Sequence, residues 1–373
     1  MNRMGKAAET VDSNESNGEV DDVDESEIAA RSITPISYFG TEFDVHGLVR
    51  RFNQESVVVP SFDPQAALPD SNLQGFQRSV VWTKSQKDRF VESLMLGFPV
   101  PGIFLVEQPQ KRYIVLDGQQ RLTTLASFYS DGFALTNVEE SLKGLKYSTL
   151  TDEQQRALDD TFIQAVIIRM PKDVDEYESV YQIFERLNSG GTKLQPHEIR
   201  VALYSGKTVE TIRLINENED WRGLFGKRNP RLKDQELILR VVALHCDGNN
   251  YAAPMKGFLN DFLGRHRDGE GLDLNELARL FTDAARVLFS ALGTRAFRLG
   301  RQVNAAILES VFVGVMSRLT APGWKDIPPE AWDAAYGNLL EDSAYLEAVT
   351  QATANETPVS RRLELSREQF GRL

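Results

Sequence analysis

Five consecutive residues, Asp117-Gly118-Gln119-Gln120-Arg121, gather a carboxylate, two primary amides and a guanidinium at a point where the apolar pattern of the chain changes. Before them, Tyr113-Ile114-Val115-Leu116 reads as a buried strand; after them, Leu122, Leu125, Ala126 and Tyr129 recur at helical spacing. The expectation is a strand, a tight turn and a helix. The first N–H groups of a helix have no intrahelical acceptor and its dipole favours an anion there, so a phosphate group would fit the turn. Arg121 could add a bidentate contact to phosphate, and Asp117 could hold a magnesium ion or orient a water. The plainer alternative is an ordinary turn in which Asp117 caps the helix and the next three residues are solvated.

The elements that must hold this turn can be read on either side of it. Thr83-x-x-Gln86 is a capping box, and Phe90, Val91, Leu94 and Met95 share one face before Gly97, which predicts a helix over about 84–96. Ile103-Phe104-Leu105-Val106 and Tyr113 to Leu116 are two apolar runs separated by a polar loop with a proline, as in a hairpin. A short β-rich stretch, Val57-Val58-Val59, lies upstream and is followed by a Pro-, Asp- and Gly-rich loop over 61–75. Downstream come a second capped helix from Thr151, a strand from Phe162 to Ile168, and a helix marked by Tyr177, Val180, Tyr181, Phe184 and Leu187 that stops at Asn188. From Pro196 every periodic segment is helical: 196–204, 208–218, 234–246, 274–292, 302–319, 329–349 and 360–370. The first half mixes strands and helices and the second is all α, so the fold class expected is α+β.

Three blocks, GFQRSVVWTKSQKDRFVESLMLGFPVPGIFLVE, YIVLDGQQRLTTLASFY and VYQIFERLNSGGTKLQPHEIRVALYSG, occur in an order that resembles the GmrSD-type DGQQR family. Its members carry ParB/sulfiredoxin-like amino-terminal domains in prokaryotic modification-dependent restriction enzymes and phage-defence proteins. The resemblance covers about residues 40–205 and implies a ParB/sulfiredoxin-like domain over 36–205, which charge and periodicity flank with a disordered acidic tail over 1–35 and a helical domain over 206–373. It also implies a cytoplasmic protein that binds and hydrolyses a nucleoside triphosphate with Mg2+, with nucleotide as partner, and in some relatives DNA or a separately encoded nuclease or defence subunit. Carried over residue by residue, Asp117, Gln120 and Arg121 would be catalytic, with Asp117 on the metal, while Gly118 and Gln119 would contact nucleotide. Arg78 and Trp82, spaced as the family's R-x-x-x-W, would join them. Arg78 precedes a capped helix and could reach phosphate, whereas the Trp82 indole either faces a base or packs in the core. Arg186 and Asn188 fall off the apolar stripe of their helix and could face the ligand; as alternatives, Asn188 is a helix C-cap and Arg186 a surface residue. Lys193, His197, Glu198 and Arg200 come next, and a solvated surface is the expectation for each.

Other chemistries find little footing. Gly190-Gly191-Thr192-Lys193 lacks the spacing of a phosphate loop, and no G-x-G-x-x-G or G-x-S-x-G follows a strand. His46, His197, His245 and His266 do not cluster as an HNH nuclease requires, so the fused nuclease of larger relatives has no counterpart in the helical half. Cys246 is the single cysteine, which excludes an intrachain disulfide and a four-cysteine zinc cage; its place after the apolar run Leu237 to Leu244 suggests a small buried hydrophobe. Arg213, Arg222, Lys227, Arg228, Arg231 and Lys233 form a basic stretch that either contacts DNA phosphate or is simply solvated.

Composition sets the outer bounds. At 373 residues and 41% hydrophobic, the chain can bury a large core, and it has neither an apolar run of membrane-spanning length nor the pattern of a secretory leader. A membrane partner is therefore not expected. The net charge of −12 opposes a surface coated for nucleic acid. Yet residues 1–35 hold nine acidic and three basic residues, so half of that excess lies in a segment too poor in apolar side chains to order itself.

Overall fold

The computed structural model describes residues 34–60, 82–187 and 194–373. Its α+β character is plain: a five-stranded mixed sheet in the first half, then helices to the carboxy end. The sheet comprises β1 (Tyr38–Asp44), β2 (Val57–Val58), β3 (Ile103–Gln108), β4 (Arg112–Asp117) and β5 (Phe162–Ile168), in the order β1-β5-β3-β4-β2. β3 and β4 are the expected antiparallel hairpin; β5 lies parallel to β3 and antiparallel to β1, and β2 is parallel to β4. Between strands run α1 (Val45–Asn53), α2 (Lys84–Met95), α3 (Gln119–Tyr129) and α4 (Asp152–Asp159), followed by α5 (Val174–Leu187).

Successive strand side chains point to opposite faces, and in β3, β4 and the end of β5 both faces are covered, whereas alternate residues of β1 and of the start of β5 are exposed. Leu105, Val115 and Ile167 join α1 to α4 in one core, whereas their neighbours Val106, Leu116 and Ile168 join a second core built by α5 and the helical half. That is why the strands read as unbroken apolar runs and not as alternating ones.

The helical half contains α6 (Pro196–Leu203), α7 (Lys207–Ile215), α8 (Glu219–Phe225), α9 (Lys233–Asp247), α10 (Met255–Arg265), α11 (Leu274–Leu292), α12 (Ala305–Leu319), α13 (Pro329–Glu341), α14 (Ser343–Thr350) and α15 (Glu356–Gly371). α8 and α10 are additions to the expected helices: α8 is only seven residues long, whereas α10 carries a clear stripe of Met255, Phe258, Leu259, Phe262 and Leu263. The expected helix 329–349 is broken at Asp342, whose carboxylate accepts from the Ala344 and Tyr345 N–H groups and so starts a new helix. α12 is buried nearly all round and is the axis of this half. Glu309 on α12 pairs with Arg362 on α15, both fully buried. Cys246 is exposed in the last turn of α9, contrary to the buried position expected, because the apolar stripe ends at Leu244. No helix among the described residues is long and apolar enough to cross a membrane.

One buried carboxylate fixes the approach to the DGQQR turn. Asp88 on α2 is fully buried; it accepts from Lys84 and, through Oδ2, from the N–H groups of Thr136 and Asn137, the Thr136 hydroxyl and the Asn137 amide. α2 is thereby stapled to the segment that follows α3. Burial pushes the Asp88 carboxyl up, but Lys84 and these donors outweigh it and hold the group below the usual carboxylate value. A carboxyl lowered in the fold contributes stability above its unfolded pKa and loses it as pH falls through the folded value. Asp88→Ala is expected to cost about 3 kcal/mol in urea denaturation at pH 7, since it strands several buried donors, and the deficit relative to wild type should shrink below about pH 4.

Candidate functional site

The strand-to-helix turn depends on a glycine. Gly118 stands at the N-cap of α3 with φ 103° and ψ 8°, a left-handed conformation that disfavours a side chain. A Cβ there would also lie 2.5 Å from Cγ2 of Ile103, the first residue of β3. The close approach of the two chains and the positive φ select the same residue. With glycine at the N-cap, no side chain caps α3. The Asp117 carboxylate does not cap the helix, as the plainer reading had it; it takes a 2.6 Å hydrogen bond from Nη2 of Arg121, one turn on. The first-turn N–H groups of Gln119, Gln120 and Arg121 therefore have neither an intrahelical acceptor nor a side-chain cap.

Burial differs sharply across this pair. The Arg121 side chain is only 11% exposed against 46% for Asp117, and the Arg121 Nε is buried with no hydrogen-bond partner. The Asp117–Arg121 pair is formally neutral, so what the turn presents to an anion is the uncapped start of α3 and the donors Arg121 can turn from Asp117. Gln120 is anchored: its Oε1 accepts from the Trp82 N–H at 3.2 Å, tying the turn to the start of α2. The Trp82 indole is half-buried and packs edge-on against Phe90 with centroids 5.2 Å apart, so packing occupies one side of the ring. The Gln119 carbonyl accepts from the Thr123 hydroxyl within the helix, and the Gln119 side chain is half-buried.

The remaining candidates divide. Arg78, Asn188 and Lys193 lie outside the described residues, as do Gly190 and Gly191 and most of the acidic tail. Arg186 is exposed in the last turn of α5. That helix begins near the far end of β3, where Arg267 bridges the Tyr177 hydroxyl and Gln108, and it packs against β4. Its last turn thus heads back toward the end of the sheet that carries the turn, yet no described hydrogen bond or ion pair joins Arg186 to residues 117–121.

His197, Glu198 and Arg200 are not solvated, contrary to expectation; all three are buried. They belong to an ionic junction between α5, α6, α9 and α10. Arg200 donates to Asn260 at 2.8 Å, Asn260 donates to Glu178, Lys256 pairs with Glu185 at 2.7 Å, and Glu198 pairs with Arg231 at 3.2 Å. Glu198 and Arg200 mimic a surface pattern in sequence because their partners are distant, in the turn before α9 and on α10. The basic stretch is ion-paired: Arg222, Arg231 and Lys233 reach the buried carboxylates of Asp234, Glu198 and Glu236, while Arg213 and Arg228 pair with Glu210 and Glu217 at the surface. Among the described residues no three His, Cys, Asp or Glu side chains converge as a metal cage. Of the turn's residues, Asp117 could supply one ligand to a cation carried by phosphate.

Residues 67–205 match a family model described as GmrSD restriction endonuclease, N-terminal domain. An uncharacterized protein of Methanocaldococcus jannaschii is 27% identical over 154 residues, a match covering 34% of this chain and 24% of that relative. The chain thus spans about a quarter of the length of the curated relative it matches. No solved structure matches.

Two outcomes are expected. Gly118→Ala should lower stability by about 2 kcal/mol in thermal or urea unfolding, through strained φ and the contact with Ile103. The His197 ring, buried with neither nitrogen partnered, has its pKa pushed down to about 3, first by burial, with Arg200, Lys233 and Arg240 adding to the effect against the opposing pull of Glu236. A base depressed in the fold stabilises above its unfolded pKa of 6.5 and loses that contribution as pH falls toward the folded value. Between pH 6 and 4 His197 should add up to about 1.4 kcal/mol per pH unit to the fall in unfolding free energy, and the profile of His197→Phe should be shallower than wild type by about that amount.

Proposed function

With residues 67–205 a member of the GmrSD restriction endonuclease N-terminal domain family, we propose that this is a cytoplasmic restriction or phage-defence protein whose Asp117–Arg121 turn binds and hydrolyses a nucleoside triphosphate. The observation that carries the proposal is the turn itself: an uncapped α3 amino terminus with the buried Arg121 guanidinium beside it and one of its donors unused. In this reading, phosphate oxygens accept from the Gln119, Gln120 and Arg121 N–H groups, and Arg121 turns from Asp117 to the phosphate. Asp117, released, orients the attacking water or takes one position on the phosphate-borne magnesium. Magnesium, when bound, neutralises developing charge on the phosphates; every other contribution comes from residues of the turn. Gln120 keeps its bond to Trp82 and so holds the first turn of α3 still while the ligand changes. The family resemblance extends the nucleotide contacts to Arg78, Arg186 and Asn188, and DNA is a second ligand sensed by the same domain.

A second reading is favoured by the Asp117–Arg121 pair. The carboxylate that would act on water is already engaged, which suits a sensor that binds nucleotide or modified DNA without turnover and signals to a separate nuclease subunit. A metal-dependent nuclease in the domain itself has less support, because no carboxylate cluster gathers around Asp117 among the described residues.

The test is turnover and binding with the full chain and Mg2+. Wild type should release phosphate from an NTP, while Asp117→Ala and Arg121→Ala should lose on the order of 100-fold in rate. NTP should raise the wild-type melting temperature and fail to do so in Arg121→Ala. Binding without turnover selects the sensor; unchanged turnover in both variants ends the proposal.

A further inference from the structure

The two edges of the sheet differ. β2, at one end of the strand order, is two residues long and runs into Val59 and Pro60, so it offers little backbone to a further strand. β1, at the other end, is the seven-residue run YFGTEFD, with neither proline nor lysine, and among the described residues no strand lies beyond it. Just past either end of β1, the Val45 N–H donates to the Thr161 carbonyl and the Arg169 N–H to the Ser37 carbonyl. Antiparallel pairs bond at alternate residues, so the odd-numbered residues of β1 turn their N–H and C=O groups toward β5. Tyr38, Gly40 and Glu42 therefore turn theirs outward.

We infer that β1 is a pairing edge for a second copy of this chain, joining two five-stranded sheets antiparallel about a twofold axis at Thr41. Outward groups can meet outward groups only in registers displaced by steps of two. With Thr41 opposite its own copy, Phe39 faces Phe43, Glu42 faces Gly40 and Tyr38 faces Asp44, so aromatic meets aromatic and no like charges are opposed. The odd positions are then the non-hydrogen-bonded pairs, in which side chains stand closest, and this suits the half-buried Phe39 and Phe43. One step in one direction sets Glu42 against Glu42; one step in the other sets Phe39 against Thr41 and Phe43 against Ser37, outside the strand. The strand is thus complementary to itself in the one register that uses its whole length. A basic peptide would suit Glu42 and Asp44 but would leave Phe39 and Phe43 without apolar partners. Thr41, Ala165 and Ile103 form one row across the sheet, and Ile103 lies against Gly118, so the axis runs level with the two DGQQR turns and sets one on each side.

Sedimentation of the full chain over a concentration series tests this. A pair of seven-residue strands is small for an interface, so wild type should dimerise with a dissociation constant on the order of 10 μM. A Cβ at Gly40 meets nothing within 4 Å, so substitutions there spare the monomer. Gly40→Lys sets a cation opposite each Glu42 and should tighten the dimer about fivefold, whereas Gly40→Glu opposes like charges and should weaken it by a similar factor. Both shifts should shrink in high salt. Gly40→Pro removes an outward N–H, leaves the β5 ladder intact and should abolish the dimer. Amide exchange at Gly40 and Glu42 should slow as concentration rises. A wild type still monomeric at about 100 μM overturns the proposal. Shifts in the same direction for Gly40→Lys and Gly40→Glu, or a dimer that survives Gly40→Pro, also overturn it. Slow exchange at Gly40 and Glu42 at every concentration assigns the edge to another segment of the same chain and overturns it as well. Should Gly40→Pro lower the melting temperature, the opposed shifts of the other two variants decide alone.

Discussion

A sheet buried on both faces at its centre is the constraint on which the other features depend. Val115 and Leu116, Leu105 and Val106, and Ile167 and Ile168 are neighbours in sequence that serve two different cores. No single layer of helices can satisfy such strands, so the chain must supply one set before the sheet is complete and another after it. α1 to α4 cover one face, and α5 with the helical half covers the other. A sheet whose centre is enclosed in this way offers solvent its strand ends and, on one face, the outer residues of β1 and the start of β5. Polar chemistry is displaced to those ends, and the DGQQR turn lies at one of them.

The turn combines two local choices that each look unremarkable. Gly118 is demanded by backbone geometry and by the proximity of β3, and the absence of a Cβ there also means the absence of a cap. Asp117 is one residue too early to cap α3 and pairs with Arg121 instead. The cost of an unsatisfied helix start is therefore retained at one place, next to a guanidinium with a donor unused. An unsatisfied helix start beside an unused guanidinium donor is what the proposed phosphate seat rests on.

Much of this was legible in the sequence, for identifiable reasons. The β3–β4 hairpin, β5, α2 and α3 announce themselves by apolar runs, capping boxes and helical spacing, all of which are local. The contact between Ile103 and Gly118, the Asp88 staple and the Trp82–Gln120 bond join residues far apart in sequence and leave no local pattern. His197, Glu198 and Arg200 were misread for the same reason, since a charged helix segment looks solvated until its partners Arg231, Asn260 and the backbone of Lys256 are known. α1 was overlooked because its stripe is only Val45, Leu48 and Val49, and α8 because Asn218 caps it inside a stretch that reads as basic loop.

The family match ends at residue 205, but the second core does not. Val106 and Leu116 of the sheet, Tyr181 and Phe184 of α5 and Leu203 and Tyr204 near the boundary share that core with residues beyond 230. The helical half is thus a wall of the same building, and recombination cannot exchange it freely. Any protein that keeps these first 205 residues but carries a different carboxy-terminal half must bring its own apolar surface, matched in shape to the underside of the sheet and in charge to Glu178 and Glu185. Divergence among such proteins is therefore expected to be coupled across the boundary, with α5 and α6 drifting together with whichever helices cover them.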